Sequence, residues 1–387
     1  VGPGEPKSRR GERVFQAQME GASLLGGATK LRGIAPKFGD TRWWQLVGLG
    51  FLAVSAIALR MNLGMVVTKY DPETGMAAKD SNMKIPLFLA TTFFIAKVMV
   101  LPFVNWKPES IPARIYTKIL LMTVLGAIGG ILEYSSYQFC PISVVVMLRV
   151  GGLVSMTALE SAFITRRSLL SWRSAGGLAL VILGTAFAAW QHSEKEKWSA
   201  FAMLGISLAL LSSLSDATEQ VVMEDILQDE EFDLDVWTFT GVAGLMGLSF
   251  MLVLLGTAQF IPGDGHGGVQ ENTVHTLQVI FSSGMLMTVI VLILVVVIID
   301  MVTASQIAKS FGATTKEAVL SFRIIAAWIF GSIVFMALPG SGFGEEWFWT
   351  DLVMKSIGGV SIIAGVSLYL HFRREGEEDA GKVSATD

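Results

Sequence analysis

The stretch Pro141–Met156 reads P-I-S-V-V-V-M-L-R-V-G-G-L-V-S-M, and a second stretch, Thr315–Phe330, reads T-K-E-A-V-L-S-F-R-I-I-A-A-W-I-F. Each is an apolar run of helical length that carries one arginine, Arg149 or Arg323, at the same distance from its start. Each is followed, further along the chain, by a second apolar run that opens with a glycine pair. This repetition predicts two halves of similar design. Such duplication is typical of membrane transporters whose binding site lies between the halves.

The composition indicates a membrane protein. Hydrophobic residues make up 52% of the chain and charged residues 16%, whereas a soluble domain carries about 25% charged residues. The net charge of −4 decides little, because the charges concentrate in loops and tails. The single cysteine, Cys140, excludes an internal disulfide.

Ten runs of the chain are apolar enough to cross a bilayer, which takes roughly 20 residues per helix. They cover residues 43–67, 85–104, 115–137, 141–164, 172–190, 198–222, 236–260, 277–308, 314–338 and 350–371. We therefore expect an all-α membrane protein with ten transmembrane helices, in a first repeat over 43–190 and a second over 198–371. Because each repeat holds an odd number of helices, the second is expected to be inverted relative to the first. Charged tails, 1–42 and 372–387, are expected to be solvated.

The orientation follows from lysine and arginine in the short loops and tails. If the N-terminus faces the cytosol, fourteen of these residues lie on that side and five on the other. Both termini are therefore predicted on the cytosolic side, or the equivalent side of an organelle membrane. The stretch 1–42 contains no apolar run long enough to be a signal peptide or a span.

Charged residues inside the spans are the candidates for function, because a charge at the bilayer centre costs at least about 2.5–3.5 kcal/mol and needs a cavity or a partner. Lys97, Arg149 and Arg323 lie deepest in their runs, and Asp300 offers a carboxylate. For the two arginines the sequence leaves two roles open, one in lining a cavity and one in fixing helix packing.

Further candidates lie on single helix faces. Asp216, Glu219 and Gln220 are spaced i, i+3 and i+4, so they share one face of helix six. Tyr134 and Tyr137 accompany Glu133 at one end of helix three. These groups can pair with the cations, bind a cation or relay protons. Four other charged residues lie near predicted helix ends, where reaching out to the membrane surface is the favoured interpretation; they are Arg60, Glu160, Lys316 and Glu317.

Other motifs fail. Asp233-Leu234-Asp235 imitates a metal–nucleotide motif but lies in an all-acidic loop, and His266 and His275 have no further ligands near them. No P-loop, G-x-S-x-G or CxxC occurs, so ATP-driven transport and familiar hydrolase chemistry have no support. We expect no enzyme activity, no cofactor, no metal site and no nucleic-acid partner.

The segment Glu133–Ala186 resembles the helix three-to-five region of the drug/metabolite transporter superfamily. The nearest branch is the solute carrier 35 family, close to its F subfamily and to the chloroquine-resistance-transporter-like proteins. The matching features are Tyr134, Tyr137, Met147–Arg149, Arg166-Arg167, Gly176-Gly177 and Gly184 in the first half, and Glu219–Glu224 and Gln306–Arg323 in the second. The long basic tail and the glycine-rich loop Pro262–Gly268 depart from the family pattern. The resemblance implies two inverted five-helix repeats, a central cavity and alternating access.

Two functions follow as expectations. The first is a secondary transporter of a small anionic metabolite of the nucleotide-sugar or phosphate-bearing class, attracted by Lys97, Arg149, Arg323 and the N-terminal ends of helices four and nine. The second is a transporter-fold accessory subunit of a large organellar membrane complex, without transport activity. The charged tails and the start at Val1 favour the accessory subunit, and the charges kept inside the spans oppose it. The substrate, the coupling ion, the organelle and the oligomeric state are not readable from the sequence.

Overall fold

The structure is a computed structural model, and it describes residues 41–70, 85–104, 111–137, 139, 145–146, 148–150, 152, 157, 172–190, 200–229, 232, 234–263, 267–269, 271–337 and 349–384. Most of the predicted basic tail 1–42 and of predicted helix four lies outside these ranges. So do Glu160, Asp233 and His266.

The described chain is built from α-helices. They are α1 Thr41–Lys69, α2 Pro86–Val98, α3 Ala113–Ser136, α4 Trp172–Trp190, α5 Ala200–Leu227, α6 Val236–Ala258, α7 Thr273–Ser282, α8 Gly284–Phe311, α9 Ala313–Leu320, α10 Arg323–Ala337 and α11 Trp349–Ser384. Arg149 lies in a further helical piece, here the Arg149 segment, of which 145–146, 148–150, 152 and 157 are described. An isolated antiparallel bridge joins two of the described residues, Pro262 and Val269.

The helices form a multi-pass membrane protein. Within the described residues, six stretches are long and apolar enough to cross a bilayer, namely Trp44–Gly64, Pro86–Phe103, Ala113–Ser136, Val236–Ala258, Gly284–Phe311 and Ala313–Ala337. Large apolar side chains remain exposed on their outer faces, such as Leu121 on α3, Val253 on α6 and Val291 on α8. An apolar band of this extent is unfavourable in water and is what a lipid-facing surface requires.

Two predicted helices are broken. The eighth run splits into α7 and α8 at Ser283, whose backbone is extended (φ −110°, ψ 109°) and whose Oγ accepts a hydrogen bond from the Leu286 N–H (3.4 Å). The ninth run splits into α9 and α10 at Ser321-Phe322, immediately before Arg323. Apolar periodicity alone does not reveal such breaks, because the hydrophobic pattern continues through them.

The charged residues of the predicted C-terminal tail continue the last helix. Helix α11 continues past its apolar part as far as Ser384. The backbone hydrogen bonding of the helix therefore continues where the apolar pattern stops.

Close backbone contact joins α4 to α11. A Cβ added to Gly177 would lie 2.6 Å from the Tyr369 N atom, and one added to Gly365 would lie 2.6 Å from the Gly177 O atom. One added to Gly184 would lie 2.8 Å from the Gly358 O atom. Glycine at these positions is what lets the last helix of each predicted half pack backbone to backbone.

A carboxylate outside the spans holds the start of α2. Glu271, which is buried, accepts hydrogen bonds from the Leu87 N–H (Oε2, 2.9 Å) and the Phe88 N–H (Oε1, 2.7 Å). Burial raises the pKa of this carboxyl to about 7, and the two backbone N–H groups oppose that rise only in part. Glu271 thus replaces the missing intrahelical partners of the first turn of α2.

Candidate functional site

The charged residues of the spans meet in one central cavity of about 80 Å³. Helices α1, α2, α3, α5, α8, α9 and α10 and the Arg149 segment all contribute to its walls. The charged lining residues are Arg60, Glu133, Arg149, Asp216, Glu219, Asp300, Lys316, Glu317 and Arg323. A smaller adjoining pocket shares Glu219, Gln220 and Lys316 with it and adds Lys97.

Arg149 forms ion pairs with two carboxylates of the site. Its guanidinium contacts the Glu133 carboxylate of α3 and the Asp216 carboxylate of α5, and all three side chains are buried. The Tyr137 hydroxyl donates to the Glu133 Oε1 atom (2.6 Å), and the rings of Tyr134 and Tyr137 meet edge to face with centroids 5.8 Å apart. Arg149 therefore binds two helices of the cavity wall together.

The close packing of α3 on α5 brings those carboxylates together. Ser212 donates to the Gly129 carbonyl and Ser215 to the Leu125 carbonyl, both at 2.8 Å. A Cβ at Gly129 would collide with the Asp216 carboxylate, and one at Gly126 would lie 2.7 Å from the Glu219 carboxylate. Glycine here makes room for acidic side chains rather than for another backbone. Gly130, four residues after Gly126, faces Ala90 of α2 instead.

Lys97 and Lys316 extend the charged network toward α2 and α9. The Lys97 ammonium lies 3.9 Å from the Glu219 Oε1 atom and over the Phe93 ring, 4.6 Å from its centroid. The Lys316 ammonium hydrogen-bonds to Gln220 and lies 3.3 Å from the Glu317 Oε1 atom. The face of α5 that carries Glu219 and Gln220 thus meets both lysines.

Asp300 of α8 is a deeply buried acid of the cavity, with 1% of its surface exposed. Its nearest cation is Arg60, whose Nη1 atom lies 3.5 Å from Oδ2 and whose guanidinium stacks over Phe93 at 5.2 Å. Neither carboxylate oxygen accepts a hydrogen bond from the described protein residues.

Arg323 is the least paired arginine of the cavity. Its Nη2 atom lies 3.9 Å from the Glu317 Oε2 atom, which is an ion pair without a hydrogen bond. The side chain is only 6% exposed. Even so, its Nε and Nη2 donors have no hydrogen-bond partner among the described residues. Those two atoms form one edge of the guanidinium, the edge that binds a carboxylate or phosphate through two parallel hydrogen bonds.

The structure brings most of the sequence-predicted residues together. Seven of the predicted binding residues line the cavity; they are Tyr134, Arg149, Asp216, Glu219, Gln220, Asp300 and Arg323. Lys97 lines the adjoining pocket. Tyr137 stands behind Glu133, as the donor that orients it.

Three residues assigned to helix ends belong to the cavity instead: Arg60, Lys316 and Glu317. Arg60 lies more than two turns before the end of α1, because that helix runs on to Lys69. Lys316 and Glu317 are 4% and 1% exposed, because α9 begins inside the protein. Lys316 and Glu317 precede Arg323 in the same predicted run, and this shared run is the signal that could have found these two residues; no comparable signal marks Arg60.

The N-terminal end of helix nine does not offer an open anion site. The Ala313 N–H donates to the Glu224 Oε2 atom (3.2 Å), so a carboxylate of α5 already occupies that position. The corresponding end of helix four lies outside the described residues. Within the part of the chain that is described, no group of three or more His, Cys, Asp or Glu side chains is arranged to hold a metal ion.

Comparisons with known proteins bear on the fold alone. No family model matches the sequence, and no curated protein matches it significantly. Among solved structures, one described only as "Crystal structure of protein" is similar, with a TM-score of 0.56 and 13% identity. The match covers 85% of this chain and 98% of that chain. At that identity the likeness shows a shared fold and nothing of the activity.

Proposed function

We propose that this protein is a secondary transporter that moves a small organic metabolite with an anionic group through the central cavity by alternating access. The observation that carries the proposal is the free edge of Arg323 inside a buried, charged cavity. A guanidinium held in this way binds a carboxylate or phosphate through two hydrogen bonds. The resemblance to the drug/metabolite transporter superfamily supports the same function.

An inverted five-helix duplication is part of this proposal. The helices numbered one to ten in the sequence are α1, α2, α3, the Arg149 segment, α4, α5, α6, α8, α9–α10 and α11. Helix three packs on helix six, and helix eight packs on helix one. Likewise, helix two packs on helix eight, and helix seven packs on helix three. Helices two and seven pack together, as do five and ten. If each helix number is raised by five, and ten is subtracted from any number above ten, these six pairs map onto one another. Two repeats related by a two-fold axis would give this pattern.

Burial of so many charges favours a binding role over a purely structural one. A buried ion pair is weak support for stability, because the desolvation of both groups offsets most of their attraction. A cavity that retains several such pairs and leaves one arginine edge open is a functional-site candidate by default. The accessory-subunit function depends on the tails, and the N-terminal tail lies outside the described residues, so no observation favours it.

Transport in liposomes tests the proposal. The purified full chain is reconstituted, and uptake of nucleotide sugars, sugar phosphates, amino acids and short peptides is measured after a thermal-stability screen has selected binders. Arg323→Lys keeps the charge but loses the two-point contact, so we expect uptake of any substrate to fall about tenfold or more at normal expression. Arg114→Lys, at an exposed position of α3, is the matched control. Equal uptake by both variants, or no uptake of any compound by the wild type, would refute the proposed role.

A further inference from the structure

Two buried groups of opposite charge line the same cavity and lack hydrogen-bond partners. Both carboxylate oxygens of Asp300 accept no hydrogen bond, and the Nε and Nη2 atoms of Arg323 donate none, among the described residues. Their ion-pair neighbours stand off at 3.5 Å and 3.9 Å, beyond hydrogen-bond contact. A buried polar group without a partner costs free energy comparable to a lost hydrogen bond, more when it is charged. Glu317 Oε2 and the Nε and Nη1 atoms of Arg149 also lack hydrogen-bond partners among the described residues, but Arg149 still bonds Asp216 through Nη2. Asp300 is unpaired at both oxygens and Arg323 along a whole edge, so these two are the charged lining groups with the most unmet hydrogen bonding.

The charges of the cavity balance. Five acidic and four basic side chains line it, and Lys97 in the adjoining pocket supplies a fifth cation. A formally neutral site in low dielectric does not compensate the charge of a strongly anionic ligand such as a nucleotide sugar. It accommodates a ligand whose own charges sum to zero.

The size of the cavity points the same way. Its volume of about 80 Å³ is well below the ~300–1,000 Å³ of pockets that enclose drug-sized molecules. A nucleotide sugar exceeds this space, and a small metabolite fits it better.

We propose that the transported solute is a small zwitterion of the amino-acid class, whose carboxylate binds the free edge of Arg323 and whose ammonium binds Asp300. This inference rests on the proposed transport function and narrows its substrate. The ammonium supplies the donors that Asp300 lacks, and the carboxylate supplies the acceptors that Arg323 lacks. Neither charge of the solute is then left unpaired in the membrane interior.

Binding measurements on the full chain in lipid nanodiscs test this assignment. The probes are the twenty L-amino acids; the tightest binder is then compared with its counterparts lacking the ammonium and lacking the carboxylate, for example alanine with propionate and ethylamine. Glucose 6-phosphate serves as the phosphate-bearing probe. We expect the amino acid to bind about 10- to 100-fold more tightly than either counterpart, the range that follows from a hydrogen bond to a charged group.

Variants assign the two ends of the solute. Asp300→Asn should abolish the preference for the ammonium group, so that the amino acid and the deaminated acid bind with affinities within about twofold of each other. Arg323→Lys should weaken the binding of both compounds alike. Because Asp300→Asn leaves Arg60 without its nearest acid, the double variant Arg60→Gln/Asp300→Asn repeats the measurement with both partners removed. Size-exclusion chromatography and thermal unfolding verify that each variant is folded.

The outcomes separate this inference from the function on which it rests. One outcome is that glucose 6-phosphate or the deaminated acid binds as tightly as the amino acid, and that Arg323→Lys weakens this binding. The proposed transport of an anion then remains supported, and the assignment of a zwitterionic solute is wrong. An ammonium preference that persists in Asp300→Asn also overturns it. A third result would also overturn it: the wild type shows no preference for the ammonium group, and Asp300→Asn loses all binding. A coupling-ion site at Asp300 would give that result. If no probe binds and none is taken up into liposomes, both proposals fall.

Discussion

Arg149 contacts both Glu133 of α3 and Asp216 of α5, so one guanidinium spans the boundary between the two predicted halves of the chain. Arg323, at the corresponding place of the predicted second repeat, has one ion pair among the described residues, with Glu317 at 3.9 Å. The two arginines that look alike in the sequence are therefore unlike in the structure. Arg149 closes a buried network, and Arg323 leaves one open.

This difference predicts unequal losses of stability. Arg149→Ala leaves two buried carboxylates without their cation and should destabilise the protein by about 3–5 kcal/mol. Arg323→Ala removes a cation whose Nε and Nη2 atoms make no hydrogen bond to the described residues, so it should cost clearly less. Thermal unfolding of the two variants in the same detergent compares them. Neutralising the acids together with the arginine, in Arg149→Met/Glu133→Gln/Asp216→Asn, should recover much of the loss. Equal destabilisation by the two alanine variants would contradict the assignment.

The close backbone contact between α4 and α11, here the seam, predicts that alanine substitutions at two neighbouring glycines change the stability differently. Gly177→Ala places a Cβ 2.6 Å from a backbone nitrogen of α11 and should cost about 1–3 kcal/mol. Gly176→Ala meets nothing within 4 Å and should be neutral or stabilising by up to about 1 kcal/mol, because alanine favours the helix. Unfolding temperatures of the pair measure this. A Gly177→Ala protein as stable as Gly176→Ala would show that the seam is looser than described.

The turn between α8 and α9 depends on the backbone freedom of glycine. Gly312 has φ +88°, and a Cβ there would lie 3.0 Å from the Glu224 Oε1 atom. Gly312→Ala should therefore cost about 1–3 kcal/mol, from the strained φ and from crowding of the carboxylate that caps α9. Gly284→Ala, which meets nothing within 4 Å, is the matched control. Comparable unfolding temperatures for the two variants would show that the turn tolerates a side chain.

Stability should depend on pH through Glu271. Its pKa is raised from 4.5 to about 7 in the folded protein, so the folded state binds more protons than the unfolded state between these values. Stability is then greatest below the ordinary carboxyl pKa and falls as pH rises through about 7, by about 3 kcal/mol in all. Glu271→Gln removes this contribution, so its unfolding temperature should change less with pH than that of the wild type. Identical pH profiles for the two proteins would rule out the assignment.

An experimental structure in lipid will test the duplication. We expect ten spans, with helices one to five superposing on six to ten about an axis in the membrane plane, and Arg149 and Arg323 at equivalent positions. A count other than ten, or the two arginines on helices that do not superpose, would end the argument from the repeat.

The sequence predicts the helices and the charged cavity residues for a simple physical reason. An unpaired charge in lipid costs free energy, so a lysine or an aspartate inside an apolar run must face a cavity or a partner. Lys97 and Asp300 could be selected on that ground alone. Arg60 and Lys316 could not, because their distance from the membrane surface depends on where α1 ends and where α9 begins. The break before Arg323 and the carboxylate cap on α9 also escaped prediction, since both depend on contacts between distant parts of the chain.

The glycine contacts between α4 and α11 restrict how the cavity can open. Where backbone touches backbone, no side chain is available to change rotamer and absorb a displacement, so the two helices can separate only by losing the whole contact at once. We expect them to travel as a single rod during any rearrangement, while the helices with side-chain interfaces shift around them. Spin labels on the two helices would then keep a constant separation in every state, and a separation that changed with bound solute would show the rod to be divisible. The last helix of each predicted half would thus belong to one rigid body, and the other helices would supply the relative movement.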